Sequence, residues 1–195
     1  MTHQLRRYVL PRTIALAAAV LIGCANYVSV TRIEPSTFAS RESVVLLSVG
    51  AERLCFDGAA AGLGLYRRSP TLGRYEAVLE VPQIAMDTSM TDQELPDTHE
   101  RLAAFVVRPG AYFFLPERRA GVVATKTPVW RFLVLPGETV YVGKLFMAQA
   151  CSLHLSFALS DQYERDVALA IKLNPGFARR PVMHRLMTFF ESLDR

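Results

Sequence analysis

Val129-Trp130-Arg131-Phe132-Leu133-Val134-Leu135-Pro136-Gly137-Glu138-Thr139-Val140-Tyr141-Val142-Gly143 sets two apolar runs on either side of a Pro-Gly corner. Its Val, Phe, Tyr and Trp side chains suit a pleated, half-buried surface. Proline presets φ for the first turn position, and glycine accepts the positive φ that a type II turn needs at the second. The same punctuation stands in Val107-Arg108-Pro109-Gly110-Ala111-Tyr112. Outward from these corners, short apolar runs recur at 44–49, 63–66, 75–81, 102–107, 112–115, 129–135, 140–146 and 153–159, with no long helical period between them. That spacing predicts a mainly β fold, an antiparallel β-sandwich of about seven to nine strands.

Residues 151–159 alternate Cys151, Leu153, Leu155, Phe157 and Leu159 with Ser152, His154, Ser156 and Ala158, the pattern of a strand with one wet face. Residues 129–135 are apolar on both faces apart from Arg131, so they are expected to lie centrally, covered on both sides. The period changes at the C-terminus. Ser160 suits the N-cap of a helix reaching Leu173, with Tyr163, Val167, Ala170 and Ile171 on one face, and Asn174-Pro175-Gly176 stops it. A second helix is expected from Pro181, striped by Val182, Leu186, Phe189, Phe190 and Leu193 and packed on the sheet.

With 195 residues, 51% hydrophobic and 21% charged, the chain can build one ordinary domain with its own core. Disorder, coiled coil and a polytopic membrane protein are excluded. The formal charge of +4 invites a nucleic-acid reading, but residues 1–23 hold Arg6, Arg7 and Arg12 and no carboxylate, and without them 19 basic side chains face 18 acidic ones. No nucleic-acid partner is expected.

Those first residues read as an export signal. A positive stretch leads into an apolar run of about ten residues, too short to span a bilayer as a helix, which ends at Cys24. Leu21-Ile22-Gly23-Cys24 resembles the lipobox of bacterial lipoproteins. The resemblance implies cleavage before Cys24, lipidation of its thiol, and a membrane partnership through two or three acyl chains, enough for stable anchoring. Ala25, in a position where aspartate would direct retention in the inner membrane, implies the periplasmic face of the outer membrane. The expected organisation is a signal peptide at 1–23, a lipidated Cys24 with a tether to 42, and a sandwich domain over 43–195 with its helices from 160.

No catalytic spacing is complete. His99-Glu100 lacks a histidine at 103, which is Ala, and Gly137 to Lys144 has one residue too many for a phosphate loop and is followed by Leu145. No catalytic residue, metal or cofactor is expected, and the reading is a non-catalytic envelope binding or structural module. The alternatives are an accessory subunit of a secretion, transport or surface-polymer machine and a periplasmic hydrolase with a dispersed site. Cys55 and Cys151 are the one pair available for a disulfide once Cys24 carries lipid. Glu76, Glu80, Asp87, Asp92, Glu94, Asp97 and Glu100 follow one another without an intervening Lys or Arg. Like charges repel and resist burial, so 83–100 is expected as an exposed loop, with Asp87, Asp92, Glu94 and Asp97 as the candidate surface for an envelope protein partner.

The Phe132-to-Gly143 segment, the earlier Pro109-Gly110-Ala111-Tyr112 turn and the helical C-terminus together resemble uncharacterised bacterial lipoproteins of β-sandwich type, over residues 102–175. That resemblance implies the fold and brings no catalytic residues.

Overall fold

The computed structural model describes residues 29–51, 61–79, 81, 83–86, 100–118, 126–148 and 156–194. Among them the strands are β1 (Ser43–Ala51), β2 (Ala61–Arg68), β3 (Tyr75–Ala77), β4 (Ile84–Ala85), β5 (Glu100–Val107), β6 (Gly110–Arg118), β7 (Lys126–Val134), β8 (Thr139–Ala148), β9 (Ser156–Ser160), β10 (Val182–His184) and β11 (Thr188–Asp194). One α-helix, α1 (Tyr163–Leu173), follows β9. The first sheet runs β10-β8-β1-β5, with β9 also on β8; the second runs β11-β7-β6-β2-β3, with β4 also on β2. Their facing sides share one core, from Val45, Leu47 and Val49 of β1 to Tyr112, Phe114, Trp130 and Phe132 of β6 and β7. The protein is a mainly β sandwich with a C-terminal helix. The second sheet is antiparallel, whereas β8 pairs in parallel with β1 and β10.

Both Pro-Gly corners are crossings between the sheets. The first takes β5 into β6 and the second takes β7 into β8. Gly137 has φ +70°, and Glu138 N–H donates to Leu135 O at 3.4 Å, as a type II turn requires. Gly110, at φ +153°, instead opens β6 directly. Ser43 pins the second corner, donating to Leu135 O at 2.8 Å and accepting from Gly137 N–H at 3.1 Å.

The doubly covered strand is β1, not 129–135. Every β1 residue is buried, because Val44 and Leu46 project from the outer face into a second core made with Leu102, Ala104, Tyr141, Ala170 of α1 and Phe177. In β7 the outward Arg131 and Leu133 are exposed. The apolar run there reflects a small outer cluster of Val129, Phe113 and Leu115 rather than a covering layer.

Three further expectations are corrected. Helix α1 starts at Tyr163 with Gln162 at its N-cap, since Ser160 is held in β9 opposite Lys144. The second helix does not form. Met183 pairs with Val140, Arg185 N–H reaches Tyr141 O and Met187 N–H reaches Val142 O, so sheet pairing claims the backbone that a helix would need. Phe189 and Phe190 are left exposed on or beside the edge of the second sheet. The loop expected at 83–100 is strand at both described ends. Ile84 and Met86 are buried, and so is Glu100.

The stretch read as a tether is also packed where it is described. Short 3₁₀ turns at Val30–Arg32 and Pro35–Ala39 bury Val30, Ile33 and Phe38 in the second core. Among the described residues no helix is long and apolar enough to cross a membrane.

Candidate functional site

Cys24, Cys55, Cys151, Asp87, Asp92, Glu94 and Asp97 lie outside the described residues. Within them, polar side chains gather in two places.

The first is a buried chain of charges beneath α1. Alternation along β1 turns Ser48 to the same outer face as Val44 and Leu46, while the inward side of α1 brings Asp166 and Ala170 against it. Ser48 Oγ donates to Asp166 Oδ2 at 2.6 Å and Tyr141 Oη donates to the same oxygen at 2.9 Å. Arg165 Nε donates to Asp166 Oδ1 at 2.9 Å, and its Nη1 lies 2.8 Å from Glu100 Oε2. Lys144 Nζ closes the chain on Glu100 Oε1. Burial, and then the Asp166 charge, raise the Tyr141 phenol well above its ordinary pKa. Burial disfavours the Arg165 charge, but hydrogen bonding and attraction from Asp166 and Glu100 outweigh it and hold the guanidinium charged. Glu100 therefore escapes the argument that its acidic stretch must stay in water, because its counter-charges come from β8 and α1. With Ser48 and Asp166 fully buried, the chain fastens α1 to the sheet. At its outer end Asp161, Gln162, Tyr163, Glu164, Arg165 and His184 border an open hollow of about 390 Å³, where His184 Nε2 lies 2.9 Å from Asp161 Oδ2 and its ring stacks on Tyr163.

The second place is a cavity of about 330 Å³ at the end of the sandwich where β1 begins, β5 ends and β6 starts. Arg41, Arg67, Arg108 and Glu42 line it together with Val78, Val81, Val106, Val107, Pro109 and Tyr112. The corners build it. The Pro136-Gly137 turn passes beneath Arg41, whose carbonyl would sit 3.7 Å from a Cβ on Gly137. The Pro109-Gly110 crossing carries Arg108 on one side and Tyr112 on the other. Tyr112 is fully buried against Phe132 and Phe114, and its hydroxyl donates to Arg108 O at 2.6 Å while accepting from Arg67 Nη2. The Arg67 guanidinium also lies over the Tyr112 ring, 4.7 Å from its centroid. Neither Arg41 nor Arg108 makes a side-chain hydrogen bond or ion pair with a described residue. Val81, Val107 and Tyr112 belong to the inter-sheet core, so the apolar wall runs inward from a charged rim.

The size falls at the low end of small-molecule sites, which run from about 300 to 1,000 Å³ with apolar walls and a few placed polar groups. Among the described residues no group of three His, Cys, Asp or Glu side chains is arranged to hold a metal ion. The three arginines are far apart in sequence and carry no motif; the one local signal was the Arg108-Pro109-Gly110-Ala111-Tyr112 corner. No protein-family model matches the chain, and no curated protein matches it.

Proposed function

We propose that this protein is a lipid-anchored envelope lipoprotein, held at the periplasmic face of the outer membrane through Cys24, and that its sandwich is a non-catalytic binding module. The observation that supports the binding role is the cavity between the sheets, where a rim of arginines meets walls continuous with the apolar core. The anchor follows from the lipobox-like Leu21-Ile22-Gly23-Cys24. Val30, the first buried side chain of the described residues, is six positions beyond Cys24. At most about 20 Å of extended chain can separate them, so the lipid holds the domain close to the bilayer surface. The carboxylates of Asp87, Asp92, Glu94 and Asp97 supply the charge that would attract a basic envelope partner.

Two measurements test this reading. Cys24→Ala should abolish incorporation of a labelled fatty acid and release the protein from membranes or block its processing; normal cleavage with unchanged membrane retention would refute the anchor. Val78→Phe, which adds volume to the cavity wall, should remove any ligand-dependent rise in Tm; an unchanged response would place binding elsewhere.

A further inference from the structure

Resting on the reading of this cavity as a ligand site, we infer that it takes a small anionic amphiphile, an aliphatic chain ending in a carboxylate or phosphate, with the head at the arginine rim and the tail against Val78, Val81 and Val107.

Charge sets the head. Among the described lining residues three guanidiniums face one carboxylate, that of Glu42, which is itself approached by Ser40 Oγ at 3.2 Å. Arg41 and Arg108 spend no side-chain donor on a described residue, although arginine offers five in a planar fork suited to carboxylate and phosphate. Arg67 is held differently. Its stacking on Tyr112 and its bond to the Tyr112 hydroxyl fix the guanidinium at the inner limit of the rim, and the same hydroxyl fixes the Arg108 backbone. Buried Tyr112 thus holds the Arg67 guanidinium in a set geometry, so less side-chain entropy is lost there on binding, while of Arg108 it fixes only the backbone.

Polarity along the cavity sets the tail. Arg41 and Arg108 are exposed and Arg67 is half-buried, whereas Val81, Val107 and Tyr112 are buried. A purely polar anion such as inorganic phosphate would leave the valine wall in contact with water. A purely apolar guest would leave the rim cations without an anion. At the roughly 30 Å³ that a water molecule occupies in the liquid, the volume admits about ten non-hydrogen atoms, the scale of a medium-length alkyl chain.

The test uses the full-length protein in its membrane, with a photoreactive ten-carbon fatty acid as probe and peptide mapping as readout. Labelling should fall on peptides containing Val78, Val81 or Val107. Decanoate and decyl phosphate should compete at least tenfold better than decanol, and inorganic phosphate should compete weakly. The Arg41→Gln/Arg108→Gln double variant should lose about tenfold or more in labelling at unchanged Tm, since neither side chain holds the fold together. If decanol competes as well as decanoate, or the double variant labels like the wild type, the anionic head is refuted while the cavity remains a binding site. If no probe labels the cavity and Val78→Phe changes nothing, both readings fall together.

Discussion

Ser48 on β1 donates its hydroxyl to Asp166 on α1 at 2.6 Å, across 118 residues of sequence, with both side chains fully buried. One carboxylate thereby satisfies Ser48, Tyr141 and Arg165 at once. Asp166→Ala would strand the buried hydroxyls of Ser48 and Tyr141 and take one of two carboxylate partners from the partly exposed Arg165, which keeps Glu100. A buried donor left without an acceptor costs about 1–3 kcal/mol, and urea denaturation should show a loss of at least that order. Asp166→Asn keeps an acceptor for Ser48 but removes the charge facing Arg165, so its loss should be smaller. An alanine variant with an unchanged midpoint would show that the chain of charges does not fasten the helix.

Tyr141 and Tyr75 give the protein an alkaline limit. Burial followed by Asp166 raises Tyr141, and burial followed by the hydrogen bond to Glu191 raises Tyr75. A phenol raised on folding contributes stability that is complete below its unfolded value of about 10 and is lost as pH climbs through the folded value. Thermal stability should therefore fall with pH above about 10, and the fall should be shallower in Tyr75→Phe/Tyr141→Phe. Equal slopes in the two proteins would contradict the assignment.

Gly143 marks an irregularity in β8 that its neighbours have closed around. The β1–β8 register slips between Leu46 and Ser48, and Gly143 has φ +111°. An added Cβ would lie 2.9 Å from Leu159 Cδ1 and 3.4 Å from Leu186 Cδ2. Gly143→Ala would meet both backbone strain, about 1–3 kcal/mol for such a conformation, and steric overlap. A loss of at least about 1 kcal/mol in denaturant melts is expected, and Gly137→Ala, with positive φ but no contact closer than 3.7 Å, should cost less.

The strands were legible because each carries its own evidence. The run at 44–49 and the two halves of the 129–143 segment need only local propensity and turn chemistry to be placed. The segment from Pro181 was not, because Val182, Leu186, Phe189, Phe190 and Leu193 fit a helical stripe while pairing to β8 and β7 decides their backbone. Local period loses where an unfilled sheet edge supplies hydrogen bonds. Glu100 and the arginine rim were hidden for a related reason. Lys144 and Arg165 meet Glu100 from distant elements, and Arg41, Arg67 and Arg108 converge only once the two crossings bring strand ends together.

Residues 29–42 separate a tether from a structural strap, and Phe38 decides between them. Its ring meets that of Phe177 edge-on at 4.8 Å and fills the second core beside α1, where Gly176 is required because a Cβ there would lie 2.5 Å from Phe38 Cε2. Arg180 then ties the same stretch down, donating to Phe38 O at 2.8 Å, Ser40 O at 2.7 Å and Glu42 O at 2.8 Å. A residue in a solvated tether could be cut to alanine at no cost. Phe38→Ala should instead cost about 3–5 kcal/mol, as for a buried aromatic. Arg180→Lys should not substitute for arginine, because a compact ammonium cannot reach three carbonyls from one planar group. Hydrogen exchange over residues 37–42 should rise in both variants, while exchange in the inter-sheet core strands β6 and β7 should rise only in proportion to the global loss. A Phe38→Ala protein with wild-type stability would return the segment to the role of a solvated tether.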